Sequence, residues 1–197
     1  MTSVFAPTSL TTTDLLRLTG EFADDVRAGR RRGPDVWPRT ERWAERLHSD
    51  DDVDVWLISW VPERSTELHD HAGSLGALTV VSGSLRELSW RGTRMCTRRI
   101  DEGGRAAFPL GWVHDVARHP AALDSATPDS ATPDSATPDS ATLDSATLGR
   151  AGDTASALPP TLSVHAYSPP LTAMSYYELK AGRLRRTRSE LTTIPEA

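Results

Sequence analysis

The feature that most limits how this chain can fold is a succession of short segments with alternating side chains, beginning at residue 53. Residues 53–60 place Trp56 and Trp60 on one face of a strand, because side chains alternate between faces along an extended chain. Further strands are predicted at residues 68–71, 76–82, 85–90, 93–100, 106–108, 113–116, 162–167 and 171–179. Many short strands joined by turn residues predict an all-β sandwich or small barrel.

The N-terminal part, about residues 9–48, predicts helices instead. Apolar residues recur at helical spacing over residues 11–26, and Thr12, Thr13 or Asp14 is placed to cap the start. A second, arginine-rich helix is predicted over residues 37–47. At the other end, the arginine-rich residues 183–188 are predicted to form a solvated edge or terminus.

A pentapeptide repeat interrupts the strand pattern. Residues 124–148 read DSATP three times and then DSATL twice. Small polar residues and proline at a five-residue period bury almost nothing and match no packed repeat. We therefore predict a disordered insertion over about residues 124–160, within a single domain whose β-barrel comprises about residues 53–123 and 161–180. A binding surface built from the repeats is the alternative.

Charge and cysteine content exclude several classes of function. Residues 124–160 hold six aspartates and one arginine, a net charge of −5, which equals the net charge of the whole chain. The remainder is therefore near neutral and predicts neither nucleic-acid nor membrane binding. The single cysteine excludes a disulfide framework. Without a segment resembling a signal peptide, the expected location is the cytoplasm, and no protein partner is implied.

A pair of histidines forms the candidate centre of the chemistry. His69 and His71 lie two residues apart, so on a strand both imidazoles point to one face and can meet one metal ion, whereas Asp70 points to the other face. Between this pair and His114 lie enough predicted strands to form a hairpin, which brings His114 beside the pair in a barrel. The alternative is that two loop histidines are merely solvated.

The motifs around these histidines resemble the cupin superfamily. His69-x-His71 with Gly83 resembles the first cupin motif, and Gly103, Pro109, Gly111 and His114 resemble the second. The glutamate ligand usual in cupins is absent, because Leu75 and Gly76 occupy its place. The sequences HDHAGS, WVHDV and SVHAYSPP in this order resemble the thiol dioxygenases, specifically bacterial cysteine dioxygenase type I.

This resemblance implies a cupin fold, that is, a double-stranded β-helix or jelly-roll barrel. It implies Fe(2+) held by His69, His71 and His114, and oxidation of L-cysteine with O2 to cysteine sulfinate. Three neutral imidazoles without a carboxylate suit ferrous iron and retain its full charge, which favours a thiolate ligand. Zinc and nickel are alternative metals. A 3-mercaptopropionate dioxygenase and a non-catalytic metal-binding sensor are the alternative functions.

The resemblance also implies an outer set of catalytic residues. Ser163, His165 and Tyr167 share one face of a strand and correspond to a hydrogen-bonded relay, with the tyrosine hydroxyl near the iron. Core residues with satisfied polar ends are the alternative.

For the substrate carboxylate, the resemblance favours Arg46, with Arg42 as the second choice. Mammalian members carry a cysteine cross-linked to the tyrosine. Gly76 stands at that position and Cys96 lies elsewhere, so no thioether is expected.

Overall fold

The structure is a computed structural model, and it describes residues 10–62, 64–120 and 160–195. Within these residues, one helix and eleven strands follow one another: α1 (Thr12–Arg27), β1 (Trp43–Ser49), β2 (Asp54–Trp60), β3 (Leu68–Asp70), β4 (Leu75–Ser82), β5 (Ser84–Trp90), β6 (Met95–Asp101), β7 (Arg105–Phe108), β8 (His114–Arg118), β9 (Thr161–Ser168), β10 (Ala173–Lys180) and β11 (Arg183–Leu191). The predicted insertion at about residues 124–160 lies outside the described residues, apart from Pro160. No helix among the described residues has the length and apolarity needed to cross a membrane.

The strands form two antiparallel sheets in the order of a jelly roll. One sheet has the order β1-β2-β9-β4-β7, and the other has the order β11-β10-β3-β8-β5-β6. Within them, β2 to β9 make two four-stranded sheets, 2-9-4-7 and 3-8-5-6, so that the chain crosses repeatedly between the layers. This arrangement confirms the predicted cupin fold, a double-stranded β-helix with an N-terminal helix.

Alternation along β2 divides the apolar residues between two layers. Trp56, Ile58 and Trp60 point into a core between the two sheets, where they join residues from β4, β5, β6, β8 and β10. Val55 and Leu57 point outward and pack in a second cluster with Leu15 and Ala23 of α1. Both faces of β2 are therefore buried, and the face with the tryptophans belongs to the interior of the barrel.

The prediction of a second helix over residues 37–47 was wrong, because residues 43–47 belong to strand β1 and residues 37–42 form no helix. Trp43 and Leu47 are four residues apart, and so are Arg42 and Arg46. That spacing puts two side chains on one face of either a helix or a strand. Tertiary pairing decides the outcome, since β1 bonds to the edge of β2 with Arg46 opposite Trp56. Trp43 and Leu47 then pack toward the second cluster, and Ala44 packs against the first.

The C-terminal strand β11 forms the edge of the second sheet, and all but one of its residues are exposed. The predicted solvated edge at residues 183–188 is thus confirmed as part of a regular strand. β11 pairs with β10, so its arginines lie at the edge of the sheet that also contains β3 and β8.

Candidate metal centre

Three buried histidines meet inside the barrel. His69 lies in β3, His71 follows just after that strand, and His114 begins β8. His69 and His114 face each other directly across the two strands. One possible ligand nitrogen from each ring lies within 4.8 Å of those of the others. Among the described residues, no aspartate, glutamate or cysteine belongs to this cluster.

Aromatic side chains surround the three imidazoles. The ring centroid of Phe108 lies 4.2 Å from that of His114. The ring of Tyr167 lies 4.8 Å from that of His71. Tyr176 packs on the remaining side, 6.2 Å from His69. These rings limit the access of water, so charges near the histidines interact more strongly than they would in solvent.

A short backbone segment before β3 orients His69. Its Nδ1 donates a hydrogen bond of 3.0 Å to the backbone carbonyl oxygen of Glu67. Glu67 has a φ of +62°, in the left-handed region that residues other than glycine rarely adopt. Arg188 of β11 donates to both carboxylate oxygens of Glu67, over 3.2 and 3.1 Å, and these hydrogen bonds lower the pKa of Glu67. Because Nδ1 is engaged, Nε2 is the nitrogen with which His69 would bind a metal.

A buried carboxylate on β5 orients His114. Oε1 of Glu87 lies 3.0 Å from Nδ1 of His114 and also accepts a hydrogen bond of 2.9 Å from Trp112 Nε1. Oε2 accepts a hydrogen bond from Nε of Arg98. Burial raises the pKa of Glu87, but the hydrogen bond and charge of His114, with the donors on Trp112 and Arg98, lower it to about 2. Glu87 is therefore an anion, although its side chain is fully buried.

Glu87 was not predicted from the sequence, although β5 contains a signal for it. Leu85, Glu87 and Ser89 alternate with less buried residues, so the glutamate stands on the interior face of a strand. An acidic residue on an interior face requires hydrogen-bonded partners, because an isolated buried charge is costly. The pattern therefore predicts a buried polar network, but its partners lie on β6 and β8 and cannot be identified from local spacing.

Asp70 points away from the histidines, as the alternation predicts. Its Oδ2 accepts a hydrogen bond of 2.6 Å from the Tyr177 hydroxyl, and its Oδ1 accepts one from the Ala72 backbone. Burial and the contact with Asp70 raise the pKa of Tyr177 to about 12, so the tyrosine remains a donor at neutral pH.

Ser163, His165 and Tyr167 form a continuous hydrogen-bonded chain on β9. Trp60 Nε1 donates to Ser163 Oγ over 2.8 Å, and that oxygen lies 2.9 Å from Nε2 of His165. On the other side of the ring, Nδ1 lies 3.1 Å from the Tyr167 hydroxyl. All three residues are buried. Their chain joins Trp60 of β2 to the tyrosine whose ring packs on His71.

The two candidate arginines lie on the barrel face of the chain around β1. The Arg46 guanidinium stacks over Trp56 at 4.7 Å, is exposed, and donates to the Thr193 carbonyl over 3.4 Å. The Arg42 guanidinium lies 5.6 Å from the Trp60 ring centroid and is half-buried. Its Nη1 is buried and has no hydrogen-bond partner in the described part of the chain. Arg42 thus has a buried donor nitrogen near Trp60, the residue that donates to Ser163, whereas the Arg46 side chain is exposed.

The remaining predicted positions lie as follows. A Cβ built on Gly76 would lie 3.4 Å from Cε1 of Tyr167 and 3.0 Å from Cδ2 of Phe108, so the glycine lets both rings approach the backbone. Cys96 is in β6, on the other sheet from Tyr167. His48 is exposed and His119 is half-buried at the end of β8, so neither joins the cluster.

Comparison with known proteins identifies a partial family match. Residues 39–107 match the family model described as Cysteine dioxygenase type I. The matched segment contains His69, His71, Glu87 and both arginines, and ends before His114 and Tyr167. No curated protein matches the chain.

Several solved structures resemble the chain at low identity. An uncharacterized conserved protein with a double-stranded β-helix domain from Klebsiella pneumoniae is 15% identical, over 81% of this chain and 86% of that one, with a TM-score of 0.42. KdgF from Halomonas sp. is 14% identical, over 72% and 90%, with a TM-score of 0.42. A cupin superfamily protein from Desulfitobacterium hafniense is 8% identical, over 68% and 82%, with a TM-score of 0.41. Because these TM-scores are below 0.5, the fold assignment is based on the strand order alone.

The donor set fits a divalent transition metal. Imidazole nitrogens suit iron, zinc, copper and nickel, and a facial set of three leaves further coordination positions for ligands. Two of the three rings are fixed through Nδ1 by an acceptor, as metal-binding histidines usually are. The cluster therefore indicates a metal-binding cupin in which His69, His71 and His114 would hold the ion.

Proposed function

We propose that this protein is an iron(II)-dependent thiol dioxygenase that oxidises L-cysteine with O2 to cysteine sulfinate. The observation that supports it best is a buried cluster of three histidines to which no carboxylate of the described residues belongs. Two of these histidines, His69 and His71, lie in the segment that matches the cysteine dioxygenase family model. The reaction adds both oxygen atoms of O2 to the thiol sulfur, so it needs no further reductant.

A divalent ion in this site would keep its full charge and would supply the redox chemistry by which dioxygen and a thiolate react. The chain's own contribution is the environment of that reaction. The rings of Phe108, Tyr167 and Tyr176 pack around the buried imidazoles. The hydrogen bonds that Nδ1 of His69 and Nδ1 of His114 donate hold these two rings in place.

Arg42 is the better candidate for holding the substrate carboxylate. A buried guanidinium nitrogen without a partner costs free energy unless a ligand supplies an acceptor. Arg42 has such a nitrogen, and it stacks near Trp60, the residue that donates to Ser163. A carboxylate fits the planar fork of a guanidinium through two parallel hydrogen bonds. Arg46, the first choice from the sequence, already uses one nitrogen on the Thr193 carbonyl.

Tyr167 is proposed to donate a hydrogen bond to the reacting group. If the Ser163 hydroxyl donates to Nε2 of His165, then Nδ1–H donates to the Tyr167 oxygen, and the phenol directs its own proton toward the substrate. Trp60 supports this direction, because it donates to the serine oxygen and favours turning the serine proton toward the imidazole. His165 and Ser163 would then act by orienting Tyr167.

The test is thiol-dependent oxygen uptake by the iron-loaded protein, with metal analysis and identification of the sulfinate. L-Cysteine should be consumed with one O2 per thiol. His114→Ala should lose both iron and turnover, whereas His119→Ala, outside the cluster, should retain both.

Each other outcome contradicts a defined part of the proposal. A strong preference for 3-mercaptopropionate would replace cysteine as the substrate. Iron-loaded protein that consumes no oxygen with any small thiol would indicate a non-catalytic metal-binding module. Full metal content in His114→Ala would remove that residue from the site.

A further inference from the structure

Glu87 brings a buried carboxylate into hydrogen-bonding contact with His114, a histidine of the cluster. On the other side of the His114 ring is Nε2, the nitrogen with which that residue would bind an ion. From the structure we infer that the pair Glu87 and Arg98 sets the electron density that His114 offers to the metal, with Glu87 increasing it and Arg98 restraining it. This inference rests on the proposed metal site and extends it to the control of the metal's properties.

The geometry supports the role of Glu87. Its side chain is fully buried, whereas the neighbouring Arg86 is exposed, so β5 directs the glutamate into the barrel. Oε1 accepts from both His114 Nδ1 and Trp112 Nε1, which fixes the oxygen in line with the imidazole. A carboxylate that accepts a proton from a ligating histidine makes the ring a stronger donor to its metal. Because no carboxylate of the described residues belongs to the ligand cluster, this anion supplies negative charge to His114 from behind the ring.

Arg98 supplies the opposing charge from the surface. It faces Glu87 directly across β5 and β6, and its Nε donates to Oε2. The arginine side chain is 40% exposed, whereas the glutamate side chain has no exposure. The ion pair therefore reaches from solvent to the outer edge of the metal site. Because Oε2 binds Arg98 and Oε1 binds His114, the arginine draws charge away from the oxygen that polarises the imidazole.

The two members of the pair should consequently act in opposite directions. Glu87→Gln preserves the shape and the acceptor for His114 but removes the charge, so the ring becomes a weaker donor. Arg98→Gln leaves the carboxylate less neutralised, so the ring becomes a stronger donor. A purely structural ion pair would behave differently, because loss of either partner would then perturb the site in the same sense.

The experiment measures the midpoint potential and the Fe(II) dissociation constant of the full-length protein for both variants. We expect Glu87→Gln to raise the potential and weaken iron binding by about 10-fold, within the range seen for outer-shell partners of metal ligands. Arg98→Gln should lower the potential and leave iron binding equal or tighter. Arg99→Gln is the matched control, since Arg99 is the next residue along β6 and pairs with Asp101 on the surface.

The outcomes separate this inference from the proposed function. Potentials of the Glu87 and Arg98 variants that move in the same direction, or that match the wild type, would overturn the inference while the metal site stands. A wild-type protein that binds no iron would overturn the proposed site itself. If Glu87→Gln fails to fold, as judged by thermal unfolding, the potential of Arg98→Gln against Arg99→Gln still decides the question.

Discussion

At the scale of single residues, Arg42 and Arg46 differ in environment although they share a strand face. Arg46 is exposed and bonds to a backbone carbonyl, whereas Arg42 has a buried nitrogen with no partner in the described part of the chain. Both stack on tryptophans of β2. The choice between them therefore depends on desolvation rather than on sequence position.

Substitution of these arginines should separate their roles. Arg42→Gln is expected to raise KM for L-cysteine by about 10- to 100-fold, because hydrogen bonds to a charged group contribute about 1.5–3 kcal/mol. Arg46→Gln is the matched control and should change KM by less than about 3-fold, since an exposed cation contributes little. Steady-state oxygen uptake checks both values. The reverse ranking would restore Arg46 as the carboxylate ligand.

Gly76 provides a second prediction at this scale. A methyl group there would lie 3.0 Å from Phe108 and 3.4 Å from Tyr167, and both rings pack against the histidines. Gly76→Ala should therefore destabilise the protein by about 1–3 kcal/mol through overpacking and reduce turnover by displacing the phenol. Chemical denaturation and oxygen uptake test the two effects. Wild-type stability with wild-type turnover would show that the space around Gly76 is larger than the structure indicates.

The sequence predicted the residues that belong to a motif or share a strand face, and missed Glu87, which does neither. His69 and His71 share a motif, and Ser163, His165 and Tyr167 share a strand face, so spacing alone associates them. Glu87 acquires its partners from β6 and β8, through strand pairing that no local pattern reveals. The preference for Arg46 over Arg42 stays a prediction; the difference in burial between the two depends on how β1 packs, which the sequence does not reveal.

At the scale of elements, α1 is held at its start by a capping box. Thr11 Oγ1 accepts from the Asp14 backbone over 3.2 Å, and the Asp14 carboxylate accepts from the Thr11 backbone over 2.9 Å. Thr11→Ala should cost about 1 kcal/mol and lower Tm by about 2–4 °C. Thr13→Ala, an exposed substitution in the first turn, is the control. Equal melting temperatures for both variants would show that the cap does not limit stability.

Elements with a single consistent period were predicted well, whereas β1 was not. The strands of the barrel alternate with period two and end at turn residues, so both their existence and their approximate ends follow from the sequence. In β1, the four-residue spacing of Trp43 and Leu47 satisfies both a helix and a strand. The segment becomes a strand because it pairs with the otherwise unpaired edge of β2. That edge exists only once the sheet has assembled, so local spacing cannot reveal it.

At the scale of the whole molecule, Asp54 should give the stability of the protein a pH dependence. It is 1% exposed, and burial raises its pKa above the ordinary value of 3.8, against the lowering effects of Trp56, Arg46 and Leu171. The folded state therefore binds this proton more tightly than the unfolded state does. The contribution of Asp54 to the free energy of unfolding is greatest below pH 3.8 and decreases as pH rises through the folded-state pKa.

Asp54→Asn should flatten this part of the pH profile. Urea denaturation at several pH values between 4 and 8 measures it, with the exposed Asp51→Asn as the control. The difference in stability between wild type and Asp54→Asn should shift in favour of the variant as pH rises. A difference that is independent of pH would show that the carboxyl has the same pKa in both states.

Deletion of residues 124–158 tests the organisation of the whole chain. Every residue of the two cores and of the metal centre lies outside that segment. The connection between β8 and β9 shortens from 42 residues (119–160) to seven. This reduces the entropic free-energy cost of closing the loop by about 1.6 kcal/mol. Thermal unfolding and iron content should remain near wild type. Loss of folding would show that the segment contributes to the domain.

The junction between β3 and β8 has a consequence for how the molecule holds together. Within these two strands the one residue pair is His69 with His114, and both members belong to the metal cluster. An ion there would cross-link the two strands within the barrel wall. Loading with metal would thus stiffen this wall as well as equip it for chemistry, and chelation would loosen the contact between the two strands.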